Sequence, residues 1–161
     1  MSADWSEVLL DLLNTTPVVD GTPTDVLADD AAARAWLRGH GRGADVTAAR
    51  QVRDDLQRVV RGERAPDTLT GYLDGVHQVP SLGTDGLTWS LSEASWPARV
   101  VLAWGELEHE LPGRLRPCAN DECQLFLIDR SRGGTGRWCS MSGCGNRMKA
   151  RRHYRRASGN S

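Results

Sequence analysis

The chain has 161 residues, of which 39% are hydrophobic and 25% charged, enough apolar material for one packed domain or one domain with a small appendage. No apolar run approaches the roughly 18 residues that a membrane-spanning helix needs, and the acidic start Met-Ser-Ala-Asp-Trp-Ser-Glu is not a secretion signal. A reducing, cytoplasmic location without membrane contact is expected, where paired cysteines serve as metal ligands sooner than as disulfides. The net charge of −1 conceals a division: residues 114–161 carry eleven basic and three acidic side chains, whereas residues 1–113 carry nine basic and eighteen acidic ones. A basic module on an acidic body points to a polyanionic partner for the module. Nineteen arginines against one lysine suggest a GC-rich genome and say nothing of function.

Residues 1–113 read mainly as helices. Trp5, Val8, Leu9, Leu12 and Leu13 recur at three- and four-residue spacing and stop at Asn14-Thr15-Thr16-Pro17. An alanine-rich helix over residues 27–37 offers Trp36 and Leu37 for packing and is closed by Gly39-His40-Gly41-Arg42-Gly43. Residues 46–61 place Ala49, Val52, Leu56, Val59 and Val60 on one stripe, with Asp45 or Thr47 as cap. Asp67 is positioned to cap a helix carrying Leu69, Tyr72, Leu73 and Val76. Apolar segments at 78–82 and 87–91 flank Gly83-Thr84-Asp85-Gly86, a hairpin signal. A last helix over residues 97–111 ends at Pro112-Gly113, the expected boundary between domains. The six tryptophans are read as core, with a ligand pocket at Trp36, Trp89 or Trp104 as the lesser alternative.

Cys118, Cys123, Cys139 and Cys144 then form C-x4-C, fifteen residues, C-x4-C. Two thiolate pairs suit a single tetrahedral zinc ion in a closed, structural site. The strand-like segment 125–128, a turn at 133–136 and a return through Arg137-Trp138 suggest that a hairpin follows the first pair. A helix beginning near Met141 should follow the second, giving a treble-clef order. With so little apolar material in this segment, metal binding must supply much of its folding energy.

That helix is dense in positive charge. Arg147, Arg151 and Arg155 share a face at four-residue spacing, with Lys149, Arg152 and Arg156 beside it. Like charges so close weaken an isolated helix, and phosphates are the natural compensation. Arg114, Arg116, Arg130, Arg132 and Arg137 extend the patch if they fold beside it. Catalytic readings are weak: the four histidines are scattered, zinc would occupy every thiol, and Gly39-x-Gly41-x-Gly43 follows a helix where a dinucleotide site needs a strand.

The run from Cys139 to His153, with Cys144-Gly145-Asn146-Arg147 at its centre, resembles the CGNR zinc-finger family. Arg116-Pro117-Cys118-Ala119-Asn120-Asp121-Glu122-Cys123, Phe126, Asp129 and Ser131-Arg132 are similar to that family's first knuckle. Upstream, Leu10-Asp11-Leu12-Leu13-Asn14-Thr15, residues 25–30 and Ala35-Trp36-Leu37 resemble the ABATE domain that precedes such fingers in stress-induced transcriptional regulators. Thr16 departs from the arginine that often follows Asn-Thr there, and the turn 133–136 is richer in glycine than usual.

The expected architecture is a mainly α N-terminal domain with a small β-hairpin over residues 1–113. A small α+β, treble-clef-like zinc finger over 114–156 and a tail over 157–161 complete it. The expected function is zinc-dependent binding of double-stranded DNA in transcriptional regulation, with no enzymatic activity. Phosphate contacts come from Arg147, Lys149, Arg151, Arg152, Arg155 and Arg156, and the N-terminal domain senses a small-molecule effector or forms a homodimer. The alternatives are an RNA-binding module, with Phe126, Trp138 and Tyr154 stacking on bases, or a protein-interaction adaptor.

Overall fold

The computed structural model describes residues 4–41 and 43–158, the last two by backbone alone. Met1 to Ala3 and Arg42 lie outside the described residues, as do residues 159–161 of the expected tail. The chain is mainly helical with three two-stranded antiparallel sheets. Helices α1 (Trp5–Leu13), α2 (Asp30–Gly39), α3 (Val46–Val60) and α4 (Trp96–Glu110) surround one core. Their starts follow local chemistry: the carboxylates of Asp4, Asp29 and Asp45 and the Ser95 hydroxyl each accept from a first-turn amide. Leu9, Leu12 and Leu13 of α1, Val52 and Leu56 of α3, and Val100 of α4 are buried.

Several details depart from the sequence expectations. Residues 27–29 precede α2, because Asp29 caps it and starts it at Asp30. Asp67 caps nothing: Pro66–Leu73 is a 3-10 helix preceded by Ala65, and Val76 lies beyond it. A two-residue pair, β1 (Val18–Val19) with β2 (Thr22–Pro23), turns over Asp20-Gly21. The anticipated hairpin forms as β3 (Gln78–Gly83) and β4 (Gly86–Leu91), with Thr84 and Asp85 in the turn.

The largest departure concerns the first cysteine pair. Strand β6 (Phe126–Ile128) pairs with β5 (Leu115–Pro117), upstream of Cys118, and not with the return through Arg137-Trp138. The hairpin therefore brackets the first knuckle instead of following it. Between residues 131 and 140 the chain is irregular, followed by a π-helical turn, Met141–Gly145, and helix α5 (Asn146–Ser158).

Strand β6 is seated on the helical part. Phe126 and Leu115 belong to the same buried cluster as the leucines of α1. Asn14, just past the end of α1, uses its side-chain amide as a strand edge: Oδ1 accepts from the Phe126 amide at 2.7 Å, and Nδ2 donates to the Phe126 carbonyl at 3.3 Å. The Arg61 guanidinium covers the Phe126 ring at 4.7 Å, and Arg130 pairs with Glu7 at 2.8 Å. These contacts cross the Pro112-Gly113 turn.

A buried polar group ties the end of α1 to α3. Arg53 donates both terminal nitrogens to Asp25, at 2.6 and 3.0 Å, and also reaches Thr15 Oγ1. Burial opposes charge on Asp25, but the Arg53 fork and the Leu27 amide outweigh it and hold the carboxyl below its usual range. Gln57 donates to the Leu13 carbonyl and the Thr16 hydroxyl. The Thr16 that departs from the family pattern thus has a structural partner here.

Asn14→Ala removes the two hydrogen bonds that satisfy Phe126 and should cost about 2 kcal/mol. Urea unfolding followed by tryptophan fluorescence should show one earlier, still cooperative transition. Separation into two transitions would show that the helical part and the β5–β6 hairpin are held together by this side chain alone.

Candidate metal centre and nucleic-acid interface

The four cysteine sulfurs lie within 4.8 Å of one another. Cys118 and Cys123 stand at the two ends of the knuckle inside the β5–β6 hairpin, and Cys139 and Cys144 flank the start of the π-helical turn. Sγ to Sγ is 3.7 Å for Cys123–Cys139 and 3.6 Å for Cys139–Cys144. A tetrahedron of sulfurs bound at about 2.3 Å has an edge of about 3.8 Å, so these separations suit one zinc-sized ion. Burial first, with Cys144 and Cys118 adding to it against the Leu125 amide and Cys139, pushes the Cys123 thiol up to about 11; burial and the neighbouring sulfurs raise Cys139 as well. A bound dication would relieve that penalty by neutralising the thiolates.

The surroundings are built to accept charge on sulfur. Fully buried Asn120 donates its side-chain amide to Cys144 Sγ at 3.3 Å, and the Cys139 amide donates to Cys118 Sγ at 3.4 Å. Burial opposes ionisation of Cys144, but the Asn120 donor and the adjoining thiols lower its pKa. Asn120 was not singled out by sequence reasoning. Its signals were its place in the first-knuckle resemblance and a polar side chain inside a C-x4-C loop that must turn tightly.

Around the loop that leads to Cys139, buried Asp129 is the organising group. It accepts from Arg116 and from the amides of Ser131 and Gly136. Ser131 leads the hydrogen bonds that bring the Asp129 carboxyl down to about 2, with Gly136 and Arg116 adding to it against burial. A Cβ at position 136 would stand 2.7 Å from Asp129 Oδ1, so a side chain there would displace the carboxylate. The glycine-rich stretch 133–136 thus includes a position fixed by close approach.

Helix α5 presents two different faces. Arg151 pairs with Glu122 of the first knuckle at 2.5 Å, and Arg147 borders the same cleft beside Asp121 and Glu122. Glu122 is accordingly held below its usual pKa, first by the Arg151 hydrogen bond. Lys149, Arg152 and Arg156 lie on the opposite side of the helix by its 3.6-residue period. They are exposed and have no ion pair among the described residues. The face expected to carry Arg147, Arg151 and Arg155 together therefore turns Arg147 and Arg151 toward the knuckle.

The flanking arginines are also largely occupied. Arg114 and Arg116 serve Asp129, Arg130 reaches Glu7, and Arg137 lies over the Trp138 ring at 5.3 Å. Arg132 is exposed. Of the three aromatics considered for stacking on bases, Phe126 is buried, Trp138 is half-buried under Arg137, and Tyr154 is exposed.

Residues 114–157 match the CGNR zinc finger, and residues 6–122 match ABATE, described as "Putative stress-induced transcription regulator". The chain belongs to the ABATE family. None of the curated proteins matches it. The two matched segments overlap over residues 114–122, which include strand β5, and Leu115 of that strand belongs to the helical core.

Each residue of the CGNR signature has a local task in this ABATE chain. Cys144 offers a sulfur, and a Cβ at Gly145 would press on Met141 at 3.0 Å and Trp138 at 3.3 Å. Asn146 donates to the Ser142 carbonyl at 3.4 Å across the junction of the π turn and α5, and Arg147 faces the acidic knuckle. No helix among the described residues is long and apolar enough to cross a membrane.

Removing the metal should release residues 137–158 and leave the seat of β6 on Asn14 in place. Hydrogen exchange should then rise through α5 while Phe126 stays protected; equal loss at both would contradict separate anchoring. Asp129 gives a pH signature. Its folded pKa near 2 lies below the unfolded value of about 3.9, so its stabilisation is present above pH 4 and fades as pH falls toward 2. Asp129→Asn should flatten the thermal stability profile across that window.

Proposed function

We propose that this protein is a DNA-binding transcriptional regulator whose finger is held by one structural zinc ion, and that it is not an enzyme. The observation that carries the reading is the outer face of α5. Lys149, Arg152 and Arg156 project from a helix anchored at Cys144, while Arg151 is braced against Glu122. Bound zinc would neutralise four thiolates and close their tetrahedron, leaving no open position for water. Cys118, Cys123, Cys139 and Cys144 would hold it in a treble-clef-like arrangement, with the first knuckle inside the β5–β6 hairpin and the second pair leading into helix α5.

Exposed cations on a rigid helix suit the regular phosphate array of a duplex. Arg155 adds to the same field, and Arg147 and Arg151 become available where a phosphate displaces Glu122. The acidic body, with twice as many acidic as basic groups in residues 1–113, would repel DNA elsewhere and confine contact to the finger. RNA is the weaker reading, since two of its three stacking surfaces are buried or covered.

Anisotropy titrations on duplex DNA at several salt concentrations test this reading. Replacing Lys149, Arg152 and Arg156 by alanine should weaken binding and reduce the log–log salt slope by roughly 3. Glu122→Gln should strengthen binding by freeing Arg151. Metal analysis should find about one zinc per folded chain. Folded protein without zinc, or no DNA affinity even at low salt, would overturn the proposal.

A further inference from the structure

The β3–β4 hairpin stands clear of the core, and every residue in it is exposed. Its pairing sorts the side chains by face. Leu91 opposite Gln78, Trp89 opposite Pro80, and Leu87 opposite Leu82 share one side. The other side carries Val79 opposite Ser90 and Ser81 opposite Thr88, whose hydroxyls hydrogen-bond at 2.7 Å. Asp85 in the turn is the one charged residue between positions 78 and 91. A two-stranded hairpin is marginal alone, and exposed strands are normally protected by charge. An apolar face of this kind needs a cover.

A groove of about 390 Å3 lies between the 3-10 helix and α4, walled by Leu69, Leu73, Val101, Leu102 and Trp104. Gly105 lines it, in the interior of α4, where a Cβ would meet nothing within 4 Å. Nearly any other residue would favour the helix more; the glycine keeps the slot open. Leu102 and Glu106 border both this groove and a small recess at Leu91. Ridge and groove therefore adjoin on one side of the molecule.

We propose that they form a homodimer interface, in which the apolar face of one copy's β3–β4 hairpin lies in the groove of a second copy, and reciprocally. A two-fold axis through the shared strip at Leu102 and Glu106 would lay each hairpin over the other's groove, a contact that closes on itself. Leu82, Leu87, Trp89 and Leu91 are 83%, 57%, 59% and 43% exposed, so each hairpin offers roughly 400 Å2 of apolar surface. The two hairpin faces then bury roughly 800 Å2, and the groove walls beneath them bring the total to about 1,000 Å2, the lower bound for a specific protein interface. A small apolar molecule could fill the groove but would leave the ridge uncovered. A second copy covers both.

Light scattering on the metal-loaded full chain at tens of micromolar should give twice the 17.6 kDa of one chain. Leu82→Ser with Trp89→Ser should return it to one chain with unchanged circular dichroism, because these side chains are exposed. Gly105→Arg should do the same by filling the groove without disturbing the helix. Thr88→Ala, on the polar face, should remain dimeric. A monomeric wild type, or a dimer that survives either change, overturns the proposal. A dimer lost with the hairpin variant but kept with Gly105→Arg would mean that hairpins pair with each other, which also overturns it. DNA affinity enters none of these readings, so the regulatory proposal stands or falls separately.

Discussion

Four thiols within 4.8 Å of one another are the constraint on which the C-terminal part of this molecule depends. Sulfurs so close, two of them buried and two half-buried, cannot all ionise without a cation, and the upward displacement of Cys123 and Cys139 expresses that cost. The finger has little else to fold around. Past β6 its buried positions are few, with Asp129, Cys144 and Gly145 among them. A metal there would join the knuckle between β5 and β6 to the turn that begins α5, and that joint would set the direction of the basic helix.

The upstream end of the finger is held by different means. Phe126 enters the helical core, Asn14 completes the edge of its strand, and Arg61 covers its ring. The finger is therefore carried by the acidic body at one end and by sulfur at the other. That division has an electrostatic consequence. Glu122 and Asp121, on the knuckle, engage the near side of α5, so its cations are not equivalent. Those on the far side meet solvent with no ion pair among the described residues, and these are the ones a polyanion would find first.

The sequence made some of this legible and hid the rest for physical reasons. The cysteine spacing revealed the metal cluster because thiolate ligands have few other uses in such a pattern. The helices of the body showed in their periodicity, since one face of each must be apolar. The partner of β6 was misread because Leu115-Arg116-Pro117 is short and half polar, and because pairing across a knuckle leaves no periodic trace. Asn14 and Asn120 could not be foreseen: each acts through a side-chain amide on a residue distant in sequence. The basic helix was visible, but which cations are free depends on Glu122, 29 residues from its partner Arg151. The β3–β4 hairpin was predicted from Asp-Gly, yet no one-dimensional pattern shows that its apolar face lies in the open.

The central claim is that metal-held geometry makes the basic helix a DNA-binding surface. Titrating one duplex DNA with metal-loaded and metal-stripped protein, at a single low salt concentration, tests it most directly. The account predicts tight binding by the loaded form, at least a tenfold loss on stripping, and recovery when zinc is restored. Equal affinity with and without metal would contradict it, because charge alone would then suffice and the four-sulfur scaffold would have no part in binding.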